Sequence, residues 1–232
     1  MTDRVLAWDG CINVRELGGL PLEGGGSTAF GVAVRADSIR SLTDGGWRAL
    51  ADYGVRVAVD LRGDDELALD PPGDVPIEVV REPVPGDTVP IVREWPSMLE
   101  AYRGLLEEFA PRFAATVTRV ARSEEPVVIH CQGGRDRTGL AVALMLRLAG
   151  VPLDVIAADH ALSDENWAPH HAQWISEAPD EGEQERRRRI TRPAGETMAR
   201  VVESIDPRAY LLAGGADERD LDTLVVRLRA WS

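Results

Sequence analysis

The sequence contains only two cysteines, Cys11 and Cys131, among its 232 residues. Two cysteines cannot build a disulfide scaffold or a zinc site made of several thiolates, and such sparse usage fits a reducing compartment. A disulfide between Cys11 and Cys131 stays open as a redox device, because a cysteine held as a thiolate is readily oxidised.

Basic charge is also scarce, since 26 Lys and Arg residues stand against 39 Asp and Glu residues and give a formal net charge of −13. A general nucleic-acid-binding protein needs an excess of basic charge to displace counterions from phosphates, so nucleic acid is excluded as a partner. An anionic substrate would have to be drawn by a local field.

The sequence has no run of about 20 apolar residues that could span a bilayer, and its first residues lack the apolar core of a signal peptide. We therefore expect a cytoplasmic protein with no integral membrane segment, and export by an unconventional route is left open. The 44% share of apolar residues is that of a globular protein. The length favours one domain over residues 1–232, with 153–232 as a mainly helical C-terminal part.

Short apolar segments rich in β-branched residues alternate with helical patterns. Strands are predicted at 32–35, 55–61, 77–80 and 127–130. Helices are predicted at 97–122, which Pro111 kinks or divides, at 138–148, and in a segment that Thr43 or Asp44 caps and Gly54 ends. The segment 64–96 is predicted as mainly loop around one strand, and 153–232 as helices with no further strand. This order predicts an α/β fold with a central, mostly parallel sheet flanked by helices.

One segment carries the chemistry, and we call residues 130–139, His-Cys-Gln-Gly-Gly-Arg-Asp-Arg-Thr-Gly, the signature loop. A strand, a glycine-containing loop and a helix in succession present backbone N–H groups to a phosphate at the positive end of the helix. Arg137, six positions after Cys131, can hold two phosphate oxygens with its planar guanidinium. The residues predicted to bind phosphate are Gln132, Gly133, Gly134, Arg135, Asp136 and Arg137.

Cys131 stands where these N–H groups and arginines stabilise a thiolate, which is a nucleophile in line with a bound phosphate ester. The predicted reaction is a two-step displacement through a phosphocysteine, without a metal or another cofactor. The leaving group needs a proton, and Asp136 is the nearest candidate for the acid and the later base. Thr138 is predicted to donate its hydroxyl to the sulfur and ease its departure in the second step.

The signature loop resembles the HCxxGKDRTG loop of the atypical bacterial tyrosine and dual-specificity phosphatases, within the protein-tyrosine-phosphatase superfamily. The other segments that carry the resemblance are 13–19, 34–37, 60–62, 159–163 and 216–228. The resemblance implies the cysteine phosphatase fold and activity on phosphotyrosine, with phosphoserine, phosphothreonine and phosphoinositides used by some relatives. It also implies that Asp136, inside the loop, is the acid. Arg135 stands in place of the family's lysine, which keeps the charge but changes its reach and geometry.

Several charged residues have two interpretations. Asp87, in a proline-rich segment upstream of the nucleophile, is the alternative acid, although an exposed turn residue is the simpler interpretation. His130 is interpreted as a structural residue beneath the loop, and the other three histidines, His160, His170 and His171, as helix surface without a metal.

Arg15, Arg35 and Arg62 are interpreted as structural ion pairs with phosphate contacts as the alternative. The run Arg186, Arg187, Arg188 and Arg189 is interpreted as a solvated helix with ion pairs along it. The alternative is that one or two of these arginines form a lid over the site and bind a second substrate phosphate or an acidic peptide flank.

Three functions remain in competition at this point. The first is a phosphatase acting on a phosphorylated protein or a small phosphomonoester. The second is a module that binds phosphate or phosphopeptides with little turnover. The third is a sulfurtransferase of the rhodanese type, which also places a cysteine in a cradle of N–H groups. The arginine six residues after the cysteine and the Thr-Gly pair that follows favour phosphate.

Overall fold

A computed structural model describes residues 4–70, 75–86 and 95–230. Within them, one five-stranded sheet has the order β1-β3-β6-β4-β5. Its strands are β1 (Arg15–Glu16), β3 (Ala33–Ala36), β4 (Val57–Asp60), β5 (Glu78–Arg81) and β6 (Val127–His130). Only β1 runs antiparallel to its neighbour, while the pairs β3–β6, β6–β4 and β4–β5 are parallel. The predicted mostly parallel α/β sheet is therefore confirmed.

Helices cover both faces of this sheet. In chain order they are α1 (Asp44–Asp52), α2 (Asp64–Leu69), α3 (Met98–Glu108), α4 (Ala110–Arg122), α5 (Asp136–Ala149), α6 (Leu153–Ser176), α7 (Glu181–Ile190), α8 (Gly195–Glu203), α9 (Pro207–Ala213) and α10 (Glu218–Leu228). None of the helices in the described ranges is long and apolar enough to cross a bilayer.

The ends of the helices follow the local sequence. The Thr43 side chain accepts a hydrogen bond from the Gly46 N–H and caps α1, and Gly54 follows this helix with a φ of 95°. Pro111, at the start of α4, divides the predicted helix 97–122 in two after Glu108, because proline is tolerated only in the first turn of a helix.

The segment 64–96, predicted as mainly loop around one strand, also contains the helix α2, which was not predicted because its six residues are too few for a helical period. The prediction of no further strand in 153–232 was wrong. The C-terminal part contains the strand β7 (Arg229–Ala230), which pairs antiparallel with β2 (Ser27–Thr28). A two-residue strand has no alternation to read, so its pairing partner alone defines it.

Alternate residues of the central strands pack on opposite faces of the sheet, as the strand period requires. Val34, Ala58 and Val128 pack towards α1, together with Trp8 and Leu50. Their neighbours along each strand, such as Val57, Val127 and Ile129, join the larger core that includes α4 and α5. Since β3, β4 and β6 are buried throughout, both faces of the sheet are covered. The carboxyl ends of these strands meet at one edge, where Ala36 and Asp60 flank His130.

Candidate active site

The signature loop leaves the sheet at this edge, between the end of β6 and the start of α5. Cys131 follows the last strand residue directly and is 2% exposed. Arg137 and Thr138 lie in the first turn of α5, so the loop curls back over the positive end of that helix. The residues predicted to bind phosphate are thereby brought together at one helix N-terminus.

The carbonyl oxygens of Gln132, Gly133 and Gly134 are all hydrogen-bonded to groups outside the loop. The Ser38 N–H donates to the Gln132 carbonyl at 3.0 Å. The Gly133 carbonyl accepts from Asn13 Nδ2 at 2.9 Å and from Trp167 Nε1 at 2.7 Å. Arg35 Nη2 donates to the Gly134 carbonyl at 2.8 Å. In a trans peptide the N–H points away from the carbonyl oxygen. The next N–H groups along the chain, those of Gly133, Gly134 and Arg135, therefore face the inside of the loop.

Gly134 is the glycine that the loop requires. Its φ is +63°, and a Cβ at this position would lie 2.3 Å from the Ala36 carbonyl oxygen at the end of β3. A Cβ on Gly133 would lie 3.6 Å from Trp167 Nε1, which is ordinary van der Waals contact. The backbone of the loop therefore requires glycine at 134 but not at 133.

Arg137 is held by Glu66 of α2. Its two terminal nitrogens each contact one carboxylate oxygen of Glu66, at 2.6 Å for Nη2 and Oε1, and Nη1 also donates to the Val84 carbonyl at 3.1 Å. Burial would lower the pKa of Arg137, but the charges of Cys131 and Glu66 raise it above its ordinary value. These contacts use Nη1 and one hydrogen of Nη2, which leaves the Nε–H and the second Nη2–H, side by side, for two oxygens of a ligand.

The carboxylate of Asp136 is fixed from two sides. Its Oδ1 accepts a hydrogen bond from Tyr102 Oη at 2.5 Å and one from Arg135 Nη1 at 3.3 Å. The side chain is 36% exposed and lines the cavity described below. Burial would raise the pKa of Asp136, but Arg135 and the Tyr102 hydrogen bond lower it below its ordinary value. In the free protein Asp136 is therefore a carboxylate.

The side chain of Arg135 points to the C-terminal helices. Its Nε donates to Asp164 Oδ1 of α6 at 2.6 Å, and its terminal nitrogens donate to the carbonyls of Ile190 at 2.9 Å and Arg192 at 2.5 Å. Asp164 also accepts from the Ala194 N–H at 2.9 Å. Arg135 and Asp164 thus fasten the segment after α7 to the signature loop.

Thr138 and His130 are buried polar residues of the signature loop. Among the described residues the Thr138 hydroxyl has no hydrogen-bond partner, although the side chain is fully buried, so its predicted bond to the sulfur is not formed in this state. His130 Nδ1 lies 3.4 Å from the Cys131 carbonyl oxygen, and burial lowers the pKa of His130. A neutral, buried imidazole fits the structural role that was predicted for it.

A cavity of about 420 Å³ opens over the loop. Its floor includes Gln132, Gly133, Asp136 and Arg137. Aromatic side chains make up much of its wall, and they are Trp95, Tyr102, Trp167 and Trp174. Such a lining is suited to an apolar, aromatic group beside the signature loop.

Helix α7 forms one side of this cavity through Arg186, Arg189 and Ile190. The same helix carries ion pairs, since both Arg186 and Arg187 contact Glu183, at 2.7 Å and 2.9 Å. Arg187 also stacks on Trp174 of α6, with 4.7 Å between the guanidinium carbon and the ring centroid. The ion pairs predicted for the arginine run are therefore confirmed, while a role of these arginines in binding substrate stays a prediction.

The predicted surface position is wrong for His160, which is 1% exposed and lies against Tyr102. His160 was misplaced because the weak amphipathicity of α6 gives no clear inner face. His170 and His171 line the cavity beside Trp167. The part of the chain that the structure describes contains no group of three His, Cys, Asp or Glu side chains with metal-site geometry.

Buried ion pairs are formed by Arg15, Arg35 and Arg62, which confirms that these arginines are structural. Arg15 and Arg35 contact the two carboxylate oxygens of Asp159, at 3.1 Å and 2.7 Å. Arg62 pairs with Asp60 at 2.8 Å. Arg35 also supports the loop through its bond to Gly134.

Cys11 is a free thiol, as is Cys131. Its sulfur lies 3.5 Å from the Ser38 carbonyl oxygen, and burial with the charge of Asp37 raises its pKa far above the ordinary value. A neutral, engaged thiol is a poor partner for disulfide formation. Asp87, the alternative acid, lies outside the described residues.

Glu66 and Tyr102 contact the site but were missed in the sequence. Glu66 follows the end of β4 by six residues, and a carboxylate near the carboxyl end of a neighbouring parallel strand is the signal that could have revealed it. Tyr102 lies on the inner face of α3, where an aromatic residue reads as core, so no sequence signal distinguishes it.

Curated relatives share part of the chain. A tyrosine-protein phosphatase from Nostoc commune is 35% identical over 139 residues, which are 56% of this chain and 47% of the relative. The triple specificity protein phosphatase PtpB of Mycobacterium tuberculosis is 29% identical over 167 residues, which are 57% of this chain and 60% of the relative. The matches thus span about half to three fifths of the length of these relatives.

Solved structures similar to the chain include TpbA of P. aeruginosa, with a TM-score of 0.41 and 17% sequence identity, over 79% of this chain and 86% of that one. The Siw14 catalytic core matches with a TM-score of 0.46 and 14% sequence identity, over 91% of this chain and 98% of that one. The sequence pattern of the tyrosine phosphatase family matches residues 6–230, nearly the whole chain. The chain therefore belongs to the tyrosine phosphatase family.

Proposed function

We propose that this protein hydrolyses phosphate monoesters, phosphotyrosine first among them, through a phosphocysteine on Cys131. The observation that carries the proposal is the outward rotation of three successive loop carbonyls, which turns the N–H groups of Gly133, Gly134 and Arg135 inwards. Those N–H groups and the remaining edge of Arg137 surround the position of a tetrahedral anion next to the Cys131 sulfur.

In the first step the Cys131 thiolate attacks phosphorus as the bond to the leaving oxygen breaks. The inward N–H groups and Arg137 stabilise the charge on the equatorial oxygens. Asp136, protonated in the substrate complex, gives its proton to the leaving phenolate. The dianionic phosphate favours that protonation, because a like charge close to a carboxylate raises its pKa.

In the second step a water molecule attacks phosphorus and the P–S bond breaks. Asp136, now a carboxylate, takes the proton of this water, and Cys131 leaves as a thiolate. The buried Thr138 hydroxyl, which lacks a partner among the described residues, supplies a hydrogen bond to the departing sulfur.

The aromatic wall of the cavity supports an aryl leaving group, because stacking on Trp and Tyr rewards a phenyl ring and not a serine or threonine stem. Similarity to a tyrosine-protein phosphatase and to a triple specificity protein phosphatase supports the same substrate. Phosphoserine, phosphothreonine and phosphoinositides are secondary substrates in this proposal. The side chain of Arg135 is engaged by Asp164 and two carbonyls, so its contribution to phosphate binding is its backbone N–H.

The test compares Cys131→Ser with Cys11→Ser in steady-state kinetics on phosphotyrosine, phosphoserine, phosphothreonine and phosphoinositide substrates. We expect no measurable turnover for Cys131→Ser, wild-type rates for Cys11→Ser, and the highest kcat/KM for phosphotyrosine. Tight phosphopeptide binding without phosphate release would indicate the binding module instead, and sulfide released from thiosulfate would indicate a sulfurtransferase.

A further inference from the structure

Tyr102 connects the candidate acid to a buried histidine on another helix. Its hydroxyl oxygen lies 2.5 Å from Asp136 Oδ1 and 3.2 Å from His160 Nε2. Tyr102 is fully buried on α3, and His160 is 1% exposed on α6. Three side chains from three helices thus form one chain of hydrogen bonds that ends at the cavity.

The direction of these hydrogen bonds follows from whether the other ring nitrogen of His160, Nδ1, carries a proton. Burial lowers the pKa of His160 to about 3, so the ring is neutral and carries one proton. Within the described residues Nδ1 is buried without a hydrogen-bond partner and abuts Gly139, where a Cβ would lie 2.7 Å away. An unpaired buried N–H costs more than an unpaired ring lone pair, so we assign the proton to Nε2.

With its proton on Nε2, His160 donates to the Tyr102 oxygen, and Tyr102 must then direct its own hydrogen to Asp136. Burial and the charge of Asp136 raise the pKa of Tyr102 well above its ordinary value, so this hydrogen is present at every working pH. The charged and titratable groups around Asp136 are Arg135 and Arg137 from the loop and α5, Tyr102 from α3, and His160, Asp164 and His171 from α6.

We propose that Tyr102, oriented by His160, is the positioning residue of Asp136, which aims its carboxylate into the cavity and stabilises it once its proton has left. The inference rests on the proposed function, in which Asp136 alternates between acid and base. Tyr102 keeps its hydrogen throughout, while Asp136 gives one proton to the leaving oxygen and takes one from water.

The experiment measures the pH dependence of kcat for wild type, Asp136→Asn, Tyr102→Phe and Tyr210→Phe on a phosphotyrosine peptide. The pH profile of kcat reports the pKa values of groups in the substrate complex. The limb of this profile that disappears in Asp136→Asn reports the pKa of Asp136. Tyr210 is the matched control, since its hydroxyl donates at 2.8 Å to the Leu106 carbonyl away from the loop.

For Tyr102→Phe we expect a loss of about tenfold in kcat and a shift of the Asp136 limb to higher pH by about one unit, because a hydrogen bond to the carboxylate is lost. Tyr210→Phe should keep the wild-type limb. A rate loss for Tyr102→Phe without a shift of the limb means a merely structural role and overturns the proposal.

A second variant covers the case that Tyr102→Phe does not fold. His160→Leu removes the group that orients Tyr102, so the limb should move in the same direction by less, and an unmoved limb overturns the proposal. If wild type shows no turnover, the proposed function has failed and the inference with it. If wild type and Tyr102→Phe are active with identical profiles, the inference alone has failed.

Discussion

Glu66 holds Arg137 by both terminal nitrogens of its guanidinium, and this pair joins α2 to the first turn of α5 beneath the cavity. The carboxylate of Glu66 also accepts the Gly63 N–H at 2.8 Å, which fixes it in turn. A guanidinium clamped along one edge presents its other edge in one orientation only, which is the preorganisation that phosphoryl transfer requires.

Loosening this clamp should cost catalysis. Glu66→Gln keeps the size of the side chain but removes its charge, and we expect kcat/KM for an aryl phosphate to fall by about 10- to 100-fold. Glu23→Gln is the control, because Glu23 forms a surface ion pair with Arg147 at 2.8 Å and should leave the rate unchanged. Equal kinetics for Glu66→Gln and wild type would show that the clamp does not position Arg137.

Gly134 should tolerate no side chain. A Cβ there would meet the Ala36 carbonyl at 2.3 Å in a backbone with positive φ, whereas a Cβ on Gly133 has ordinary contacts. We expect Gly134→Ala to lower the free energy of unfolding by about 2 kcal/mol or more and Gly133→Ala by less than about 1 kcal/mol. Thermal and urea unfolding of the two variants measure this, and equal losses would contradict the assignment.

Asp159 should make stability depend on pH in the acid range. Burial would raise its pKa, but Arg15, Arg35 and Arg4 lower it far below the ordinary value of about 3.9. The folded state therefore binds fewer protons than the unfolded state, so the stabilisation is complete above about pH 4 and is lost as pH falls towards the folded pKa.

The variant that tests this is Asp159→Asn. At pH 7 we expect its free energy of unfolding to be about 3–5 kcal/mol below that of wild type, because three cations lose their buried partner. Below about pH 4 its stability should vary less with pH than that of wild type. Asp217→Asn, which removes a 3.4 Å surface pair with Arg122, should stay within about 1 kcal/mol. Parallel pH slopes for Asp159→Asn and wild type would rule out the account.

Arg135 should govern how firmly α7 covers the cavity. A lysine cannot span Asp164 and the carbonyls of Ile190 and Arg192 together, since it lacks the planar set of donors. We expect trypsin to cleave the arginine run about tenfold faster in Arg135→Lys than in wild type. This ratio corresponds to a loss of about 1.4 kcal/mol in the local stability of the segment. Arg188→Lys, a change on the exposed face of α7, should be cleaved at the wild-type rate. Unchanged protection in Arg135→Lys would sink this role.

The sequence predicted four of the five strands of the sheet, though not the two-residue β1, and it predicted the signature loop and its place between β6 and α5. Each of these rests on local pattern and spacing. It did not predict the partners of the loop. Asn13, Arg35 and Trp167 reach the loop carbonyls from distant parts of the chain, and only the packing of α6 against the sheet brings Trp167 there.

The role of Arg135 shows the same limit. Its position in the loop predicted a phosphate contact, but its side chain turns to Asp164 and to the carbonyls of Ile190, which ends α7, and Arg192. Spacing along the chain fixes where a backbone N–H lies in a loop, whereas the direction of a long side chain depends on which charges and carbonyls the fold places near it.

The covalent intermediate on Cys131 is the feature on which the proposed reaction depends, and mass spectrometry of acid-quenched protein during turnover detects it. Asp136→Asn is the trap, because loss of the base slows hydrolysis of the phosphocysteine. We predict one phosphoryl group on the peptide that contains Cys131, its absence in the double variant with Cys131→Ser, and its retention with Cys11→Ser. Rapid phosphate release by a protein that never carries phosphate on Cys131 would exclude the phosphocysteine pathway.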